Sequence, residues 1–345
     1  MLELRALGRP VVQAPMAGGA STPALAAAVS EAGGLGFLAA GYKTAAAVRA
    51  DITATRALTS RPFGVNVFMP AAGAVDEAAV AAYRERLVPE GERLGAEPGD
   101  PSAADRTDAY DDKIADLLAD PPAAVSFTFG CPDAATVRAL RERGALVIVT
   151  VTTAREAVTA ATSGAGALCV QGAEAGAHQG SFTDTGGLDD PIPLRRLLAA
   201  VRSVTTLPLI AAGGLGTGAQ IAEVLGLGAV AAQLGTAFLR CPESGASAVH
   251  KAALTDPRFT RTALTRAFSG RPARGLVNRF MEEHGEHAPA AYPDVHYITA
   301  PLRRAASARG DAEAVNLWAG TAYRLAREAP AAEIVAALTA DARRP

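Results

Sequence analysis

The sequence predicts an α/β fold, a (β/α)₈ TIM barrel with an inserted, mainly helical cap domain near the C-terminus. Three observations predict it. Eight short apolar runs alternate with Ala-rich helical runs. Those runs are continuous rather than alternating, as parallel strands buried on both faces must be. The chain has 345 residues, which fits a barrel of roughly 250 residues plus an insertion. A doubly wound open sheet is the alternative, but eight strands in regular βα order favour closure.

The first strand is expected at 10–15, "PVVQAP", with a helix near 22–32. "LGFLAA" (35–40) precedes a helix at 44–58. "FGVNVF" (63–68) leads into a long polar excursion with helical patches. "AVSFTF" (124–129) and "ALVIVTV" (145–151) precede helices at 132–143 and 153–163. "ALCVQG" (167–172) is followed by a loop and a helix near 191–204. "LPLIAAG" (207–213) leads into 217–226, and "AVAAQLG" (229–235) closes the series. "AGGLG" occurs at 32–36, where it should end a helix with a left-handed glycine, and at 212–216, after the seventh strand. These are opposite ends of the barrel, so the echo is no functional repeat. After about 240 the pattern changes. Mixed charge and many prolines over 268–311 read as inserted helices and loops, and 330–344 returns to an amphipathic helix, the eighth of the barrel. The implied division is 1–239 plus 325–345 for the barrel and 240–324 for the cap.

Composition narrows the function. Apolar residues make up 49 % and charged residues 20 % of the chain, enough for a large core. The net charge of -2 offers no basic excess for a nucleic-acid backbone. Cys131, Cys169 and Cys241 are far apart, without a CxxC pair, which argues for reduced thiols rather than disulfides or structural zinc. No signal-peptide pattern opens the chain, and no apolar stretch reaches the roughly 18 residues of a membrane span. The expectation is a soluble cytoplasmic protein.

Barrel sites lie at the C-terminal ends of the strands. "GGLGTG" (213–218) and "QLGTAF" (233–238) follow or end the last two strands, where backbone N–H groups hold a phosphate. There is no Walker lysine. Thr236 and the amides would hold the anion; tight turns alone are the plainer reading of either loop. Asn66, Gln171 and Gln233 are amides at strand ends, suited to the edge of a flavin ring or to pairing with a neighbouring loop. His178, in "QGAEAGAHQG", sits among small residues that let a flat ligand approach. Its imidazole should titrate within about two units of 6.5, fit for proton transfer or anion binding; a surface loop histidine is the alternative. Glu174 is placed to orient the loop or to cap a backbone amide. "HGEH" puts His284 and His287 three apart, without further ligands at metal-site spacing, so a solvated loop and no metal are expected. His250 and His296 carry no supporting pattern.

The chain resembles the nitronate monooxygenases, formerly 2-nitropropane dioxygenases, across nearly its whole length. The resemblance rests on "QAPMAGGASTPALAAAVSEAGGLGFLAAGY" (13–42), "GVNVF" (64–68), "VQGAEAGAHQGSF" (170–182), "AAGGLGTG" (211–218) and "QLGTAF" (233–238). "GRPARGLVN" (270–278) and "LWAGTAYRLARE" (317–328) extend it into the cap. It implies FMN contacts at Asn66, Gln171, Gly176, Gly214, Gln233, Leu234, Gly235 and Thr236. It implies His178 as the active-site histidine, and Tyr110 with cap residues along the substrate cavity. Ala177 stands where the family has a second glycine, in a backbone position that restricts it. The implied reaction is FMN-dependent oxidative denitrification of alkyl nitronates, propionate 3-nitronate foremost, by dioxygen to carbonyl compounds and nitrite or nitrate. His178 would hold the anion if protonated, or remove the α-proton of a nitroalkane if neutral. A small-molecule nitronate and O₂ are the implied partners, with a homodimer allowed. An FMN-dependent NAD(P)H reductase, acting on enoyl-acyl carrier protein or quinone, shares the same parts. So would a flavin-binding barrel without catalysis.

Overall fold

The computed structural model describes residues 1–71, 73–184 and 191–340. Eight parallel strands form one sheet: β1 (Val11–Gln13), β2 (Gly36–Ala39), β3 (Phe63–Phe68), β4 (Ala124–Thr128), β5 (Leu146–Val151), β6 (Ala167–Gln171), β8 (Leu209–Ala212) and β9 (Ala231–Leu234). The order is β1-β9-β8-β6-β5-β4-β3-β2, and a parallel bridge between Val12 and Leu35 joins the two ends into a barrel. All eight strands lie within the runs expected from sequence.

Side-chain alternation explains why those runs are apolar throughout. Val12, Phe37, Ile148, Cys169 and Ile210 fall in one buried cluster inside the barrel. Their neighbours Val11, Val147, Val149, Leu168 and Leu209 face the helices outside. A parallel strand between barrel interior and helix layer has no wet face to leave polar.

Helix starts follow local capping chemistry. Thr22, Thr44 and Asp133 accept backbone N–H bonds at the starts of α1 (Pro23–Glu31), α2 (Ala45–Leu58) and α6 (Ala134–Glu142). Complete capping boxes start α7 (Ala154–Thr162), from Thr153 and Glu156, and α9 (Gly218–Gly226), from Thr217 and Gln220. Gly33 follows α1 at φ +87°, the left-handed stop expected of the first "AGGLG". Between β3 and β4 the polar excursion forms α3 (Glu77–Arg86), α4 (Val88–Leu94) and α5 (Tyr110–Ala119). The barrel ring is completed by α8 (Leu194–Arg202) and α13 (Ala331–Ala340); residues 341–344 of the expected last helix lie outside the described residues.

The region after β9 holds α10 (Ala248–Ala253), α11 (Arg279–His284) and α12 (Asp294–Ala308). It is not helices and loops alone. β10 (Thr262–Thr265) and β11 (Ala273–Leu276) form an antiparallel hairpin, and β11 also pairs with β7 (Ala177–His178), inside the loop that follows β6. A second apolar core unites Leu239, Phe268, Phe280, Val295, Ile298 and Leu317. Val80 and Tyr83 of α3, Leu94 of α4 and Leu87 between them join it, so the polar excursion packs under the cap as well.

Candidate active site

The C-terminal ends of the barrel strands open into a cavity of about 500 Å³. Asn66, Gln171, Gly176, His178, Gly214, Gln233, Leu234, Gly235 and Thr236 all line it. Nine residues chosen from four separate segments of sequence therefore meet in one space.

The last two strands supply its anion-binding end. The N–H groups of Gly214, Leu215, Gly235 and Thr236 make no hydrogen bond to any described group, although each lies just past a strand end. Gly214 adopts φ +69°, and a Cβ there would fall 2.8 Å from Cβ of Glu174. Only glycine meets both conditions without displacing the neighbouring loop. Thr236 Oγ1 accepts from Gly320 N at 3.0 Å, which ties this end to the return segment of the cap.

The three amides differ. Asn66 Nδ2 donates to Ser126 Oγ at 2.9 Å and Thr128 Oγ1 at 3.0 Å, holding its carbonyl oxygen in a fixed orientation. Gln233 Nε2 donates to Cys169 Sγ at 3.3 Å. Gln171 braces its own loop: Oε1 accepts from Gly180 N at 2.6 Å, and Nε2 donates to His178 O at 3.0 Å. Glu174 accepts from Leu194 N at 3.0 Å, the first residue of α8, whose N-cap Pro193 has no capping side chain. That is the capping role expected of it.

His178 is held on a strand, not on an open loop. Its backbone pairs with Ala273 of β11. Its ring meets Phe129 at 5.7 Å, Tyr292 at 5.7 Å and Trp318 at 5.6 Å between centroids. Nε2 lies 2.8 Å from Ser269 Oγ, which also donates to Arg271 O at 3.3 Å. Either the Ser269 hydroxyl or the ring donates in this contact, according to the tautomer. Burial, then the charges of Arg271 and Arg303, push the imidazole down to about 3. The group is neutral across the physiological range, and the expected titration near 6.5 is not what this environment gives. Ala177, next to it, adopts φ +62°, the left-handed region that an alanine is restricted from and a glycine is not.

Several cavity residues carry no sequence signal. His250 and His296 both line the cavity. His250 Nε2 bonds Trp318 O at 2.9 Å, and burial pushes the ring down to about 4. His296 stacks on Tyr42 at 4.1 Å and 7°. Arg303 of α12 lines the wall beside it. Arg271 lies over the Phe129 ring at 4.1 Å, and Phe129 itself sits at φ +75°. Arg271, Trp318 and Tyr42 fall within family-like segments; His296 and Arg303 do not. Tyr110 starts α5 and packs into the cluster around Val67, Phe127 and Val137, away from the cavity. His287 is exposed as expected, but His284 is 7 % exposed, sealed under α11 against Phe280 at 4.6 Å.

Comparison with known proteins decides the family. The nitronate monooxygenase family model matches residues 3–341. The chain belongs to the nitronate monooxygenase family. A nitronate monooxygenase from Pseudomonas aeruginosa is 44 % identical, over 99 % of this chain and 98 % of its own length. The crystal structure of nitroalkane oxidase from Streptomyces ansochromogenes superposes with TM-score 0.95 at 55 % identity, covering 98 % of this chain and 97 % of that one. FabK from Thermotoga maritima is more distant, at TM-score 0.76 and 26 % identity over 99 % and 94 % of the chains.

Proposed function

We propose that the chain oxidises alkyl nitronates with dioxygen on noncovalently held FMN, yielding carbonyl compounds and nitrite or nitrate. The observation that carries this reading is the charge of the cavity. Arg303 and Arg304 line it, and no Asp or Glu does among the described residues. An anionic substrate gains from that field, and a low-dielectric wall strengthens it.

The residues present fit FMN. Four unspent N–H groups and the Thr236 hydroxyl suit its phosphate, and Asn66, Gln171 and Gln233 offer donors and acceptors for a ring edge. No GxGxxG fingerprint follows the first strand, which disfavours a dinucleotide. FMN, when bound, supplies the one-electron chemistry toward the nitronate and dioxygen.

The chain's own residues do the rest. The Ser269 hydroxyl and the β7–β11 pairing fix the His178 ring. Neutral His178 takes the α-proton of a nitroalkane at its unprotonated ring nitrogen, the role that its environment favours over holding an anion. Phe129, Trp318 and Tyr42 narrow the space around the reacting carbon and exclude water. We also assign 1–239 plus 325–345 to FMN binding and 240–324 to substrate enclosure.

Oxygen uptake by the purified flavoprotein, with an alkyl nitronate against NADH, tests the reading. Nitronate-dependent uptake is expected. Rapid anaerobic flavin bleaching by NADH without nitronate turnover would instead favour a reductase, the reading to which the FabK likeness points. Bound flavin with neither activity would indicate a barrel without catalysis.

A further inference from the structure

Among the described residues, five other than glycine hold a positive φ: Tyr42, Asp108, Ala109, Phe129 and Ala177. Tyr42, Phe129 and Ala177 line the cavity. Asp108 and Ala109 do not, and belong to the polar excursion between β3 and β4. A bulky side chain disfavours this backbone region, so its surroundings must hold it there.

For Tyr42, at φ +65°, the holding group is Asp108. Asp108 Oδ1 accepts from Tyr42 N at 2.8 Å. Its Oδ2 accepts from Lys113 Nζ at 2.8 Å, and the lysine side chain is fully buried. The lysine both orients the carboxylate and offsets its charge. Asp105 shapes the turn that presents Asp108: Oδ1 accepts from Thr107 N at 2.9 Å and Oδ2 from Ala109 N at 3.1 Å. The same turn reaches the cap. Arg106 Nη2 donates to Asp294 Oδ1 at 2.7 Å, at the start of α12 and two residues past Tyr292. Tyr292 Oη donates to Tyr42 Oη at 3.2 Å, and its ring meets that of His178 at 5.7 Å. Residues 105–109 therefore brace Tyr42 from the barrel side and the neighbourhood of Tyr292 from the cap side.

We propose that Asp108 is a positioning residue that fixes Tyr42 and so sets the width of the cavity beside the reacting carbon, favouring primary nitronates over those branched at that carbon. This rests on the nitronate reading, in which His178 and Tyr42 flank that carbon. Asp108 stands outside the cavity, so its loss changes which carbon skeleton fits and not the proton transfer.

The test removes the Asp108–Lys113 pair in two ways. Asp108→Asn with Lys113→Met keeps an oxygen for Tyr42 N on a residue that tolerates positive φ. Asp108→Gly with Lys113→Met also tolerates that backbone and removes the acceptor. Neither leaves a buried lysine unpaired. The substrates are propyl-1-nitronate and propyl-2-nitronate, equal in carbon number and differing at the reacting carbon. The ratio of kcat/KM for the branched over the straight form should stay near the parent value in the asparagine variant. It should rise on the order of tenfold in the glycine variant, about what one misplaced methyl group is worth in a pocket. A loss shared equally by both substrates, or one ratio common to both variants, would overturn the positioning role. Binding gives a second readout that needs no turnover. Butanoate and 2-methylpropanoate carry a carboxylate where these nitronates carry the nitro group. Titrated against the bound flavin, butanoate should be preferred by the parent and the asparagine variant, and the glycine variant should lose the preference. A holoenzyme inert toward both nitronates would sink the underlying reading, and the carboxylate titrations would still decide the width. Should the glycine variant not fold, Arg106→Gln cuts the bond to α12 from a partly exposed side chain and must shift the same ratio the same way. An unchanged ratio there would overturn the proposal.

Discussion

Gln171 donates from Nε2 to the carbonyl of His178 at 3.0 Å while its Oε1 takes the N–H of Gly180. One side chain thus holds the histidine and the turn just after it. Gln171→Leu leaves a donor and an acceptor unpaired, each costing about 1–3 kcal/mol if no water replaces the amide. Thermal denaturation should show the loss in the apoprotein and the holoprotein alike. An unchanged apoprotein midpoint would mean that the amide serves the cofactor rather than the loop.

Replacing His178 tests the proton-transfer role. His178→Asn should keep the fold and FMN and lower turnover, with neutral nitroalkanes suffering more than nitronates because they also need a base. The expected loss with nitroalkanes is on the order of 10²–10⁴. With the ring at about 3 in the parent, the base is unprotonated throughout the neutral range. Its activity with nitroalkanes should therefore show no His178 limb between about pH 5 and 8. A limb near 6.5 that disappears in the variant would show that the ring is not desolvated as described.

Ala177→Gly bears on stored backbone strain. An alanine at φ +62° costs about 1 kcal/mol that glycine does not, partly offset by the greater freedom of glycine when unfolded. Urea denaturation should show a small gain in stability. A loss would mean that the Ala177 methyl contributes more by packing than its backbone costs.

Gly214→Asp should weaken FMN retention through gel filtration. The side chain meets the Glu174 stem, the left-handed backbone is strained, and a second carboxylate approaches the anion end. Full occupancy of FMN in the variant would remove this loop from the phosphate site.

Acid should destabilise the protein earlier than its carboxylates alone require. His178, His250 and His296 are neutral in the fold and regain a pKa near 6.5 on unfolding. The unfolded state then binds more protons, and stability falls as pH drops from about 6.5 toward the folded values. Each ring contributes up to about 1.4 kcal/mol per pH unit. Denaturation midpoints at pH 7.5 and 5 should differ, and His250→Asn should reduce the difference. Equal slopes in parent and variant would mean that His250 is not held neutral.

The barrel was legible because its signals are local. Continuous runs such as "ALVIVTV" and caps such as Thr153 with Glu156 need no tertiary context. The glycine loops and the three amides were legible by position, since strand ends converge in any barrel. The cap was not. "TALT" and "ARGL" are too short and too mixed to announce a hairpin, and β11 gains its further partners from β7 and Trp318, both distant in sequence. His284 looked solvated amid Glu282, Glu283 and Glu286, yet Phe280 one helical turn earlier marks the buried face. His296 and Arg303 lie seven apart on α12, two turns of one face, and nothing local distinguishes that face from an exposed one. What makes them a site is the cavity below.

The pairing of Ala177 and His178 with Ala273 and Arg274 fixes more than a backbone. Side chains on a strand alternate between faces, so a slip of one residue would turn the imidazole away from the cavity and bring a neighbour in its place. The number of residues linking β6 to β7 is therefore constrained together with their identity. A one-residue insertion or deletion within 172–176 would misaim the base in a barrel otherwise intact.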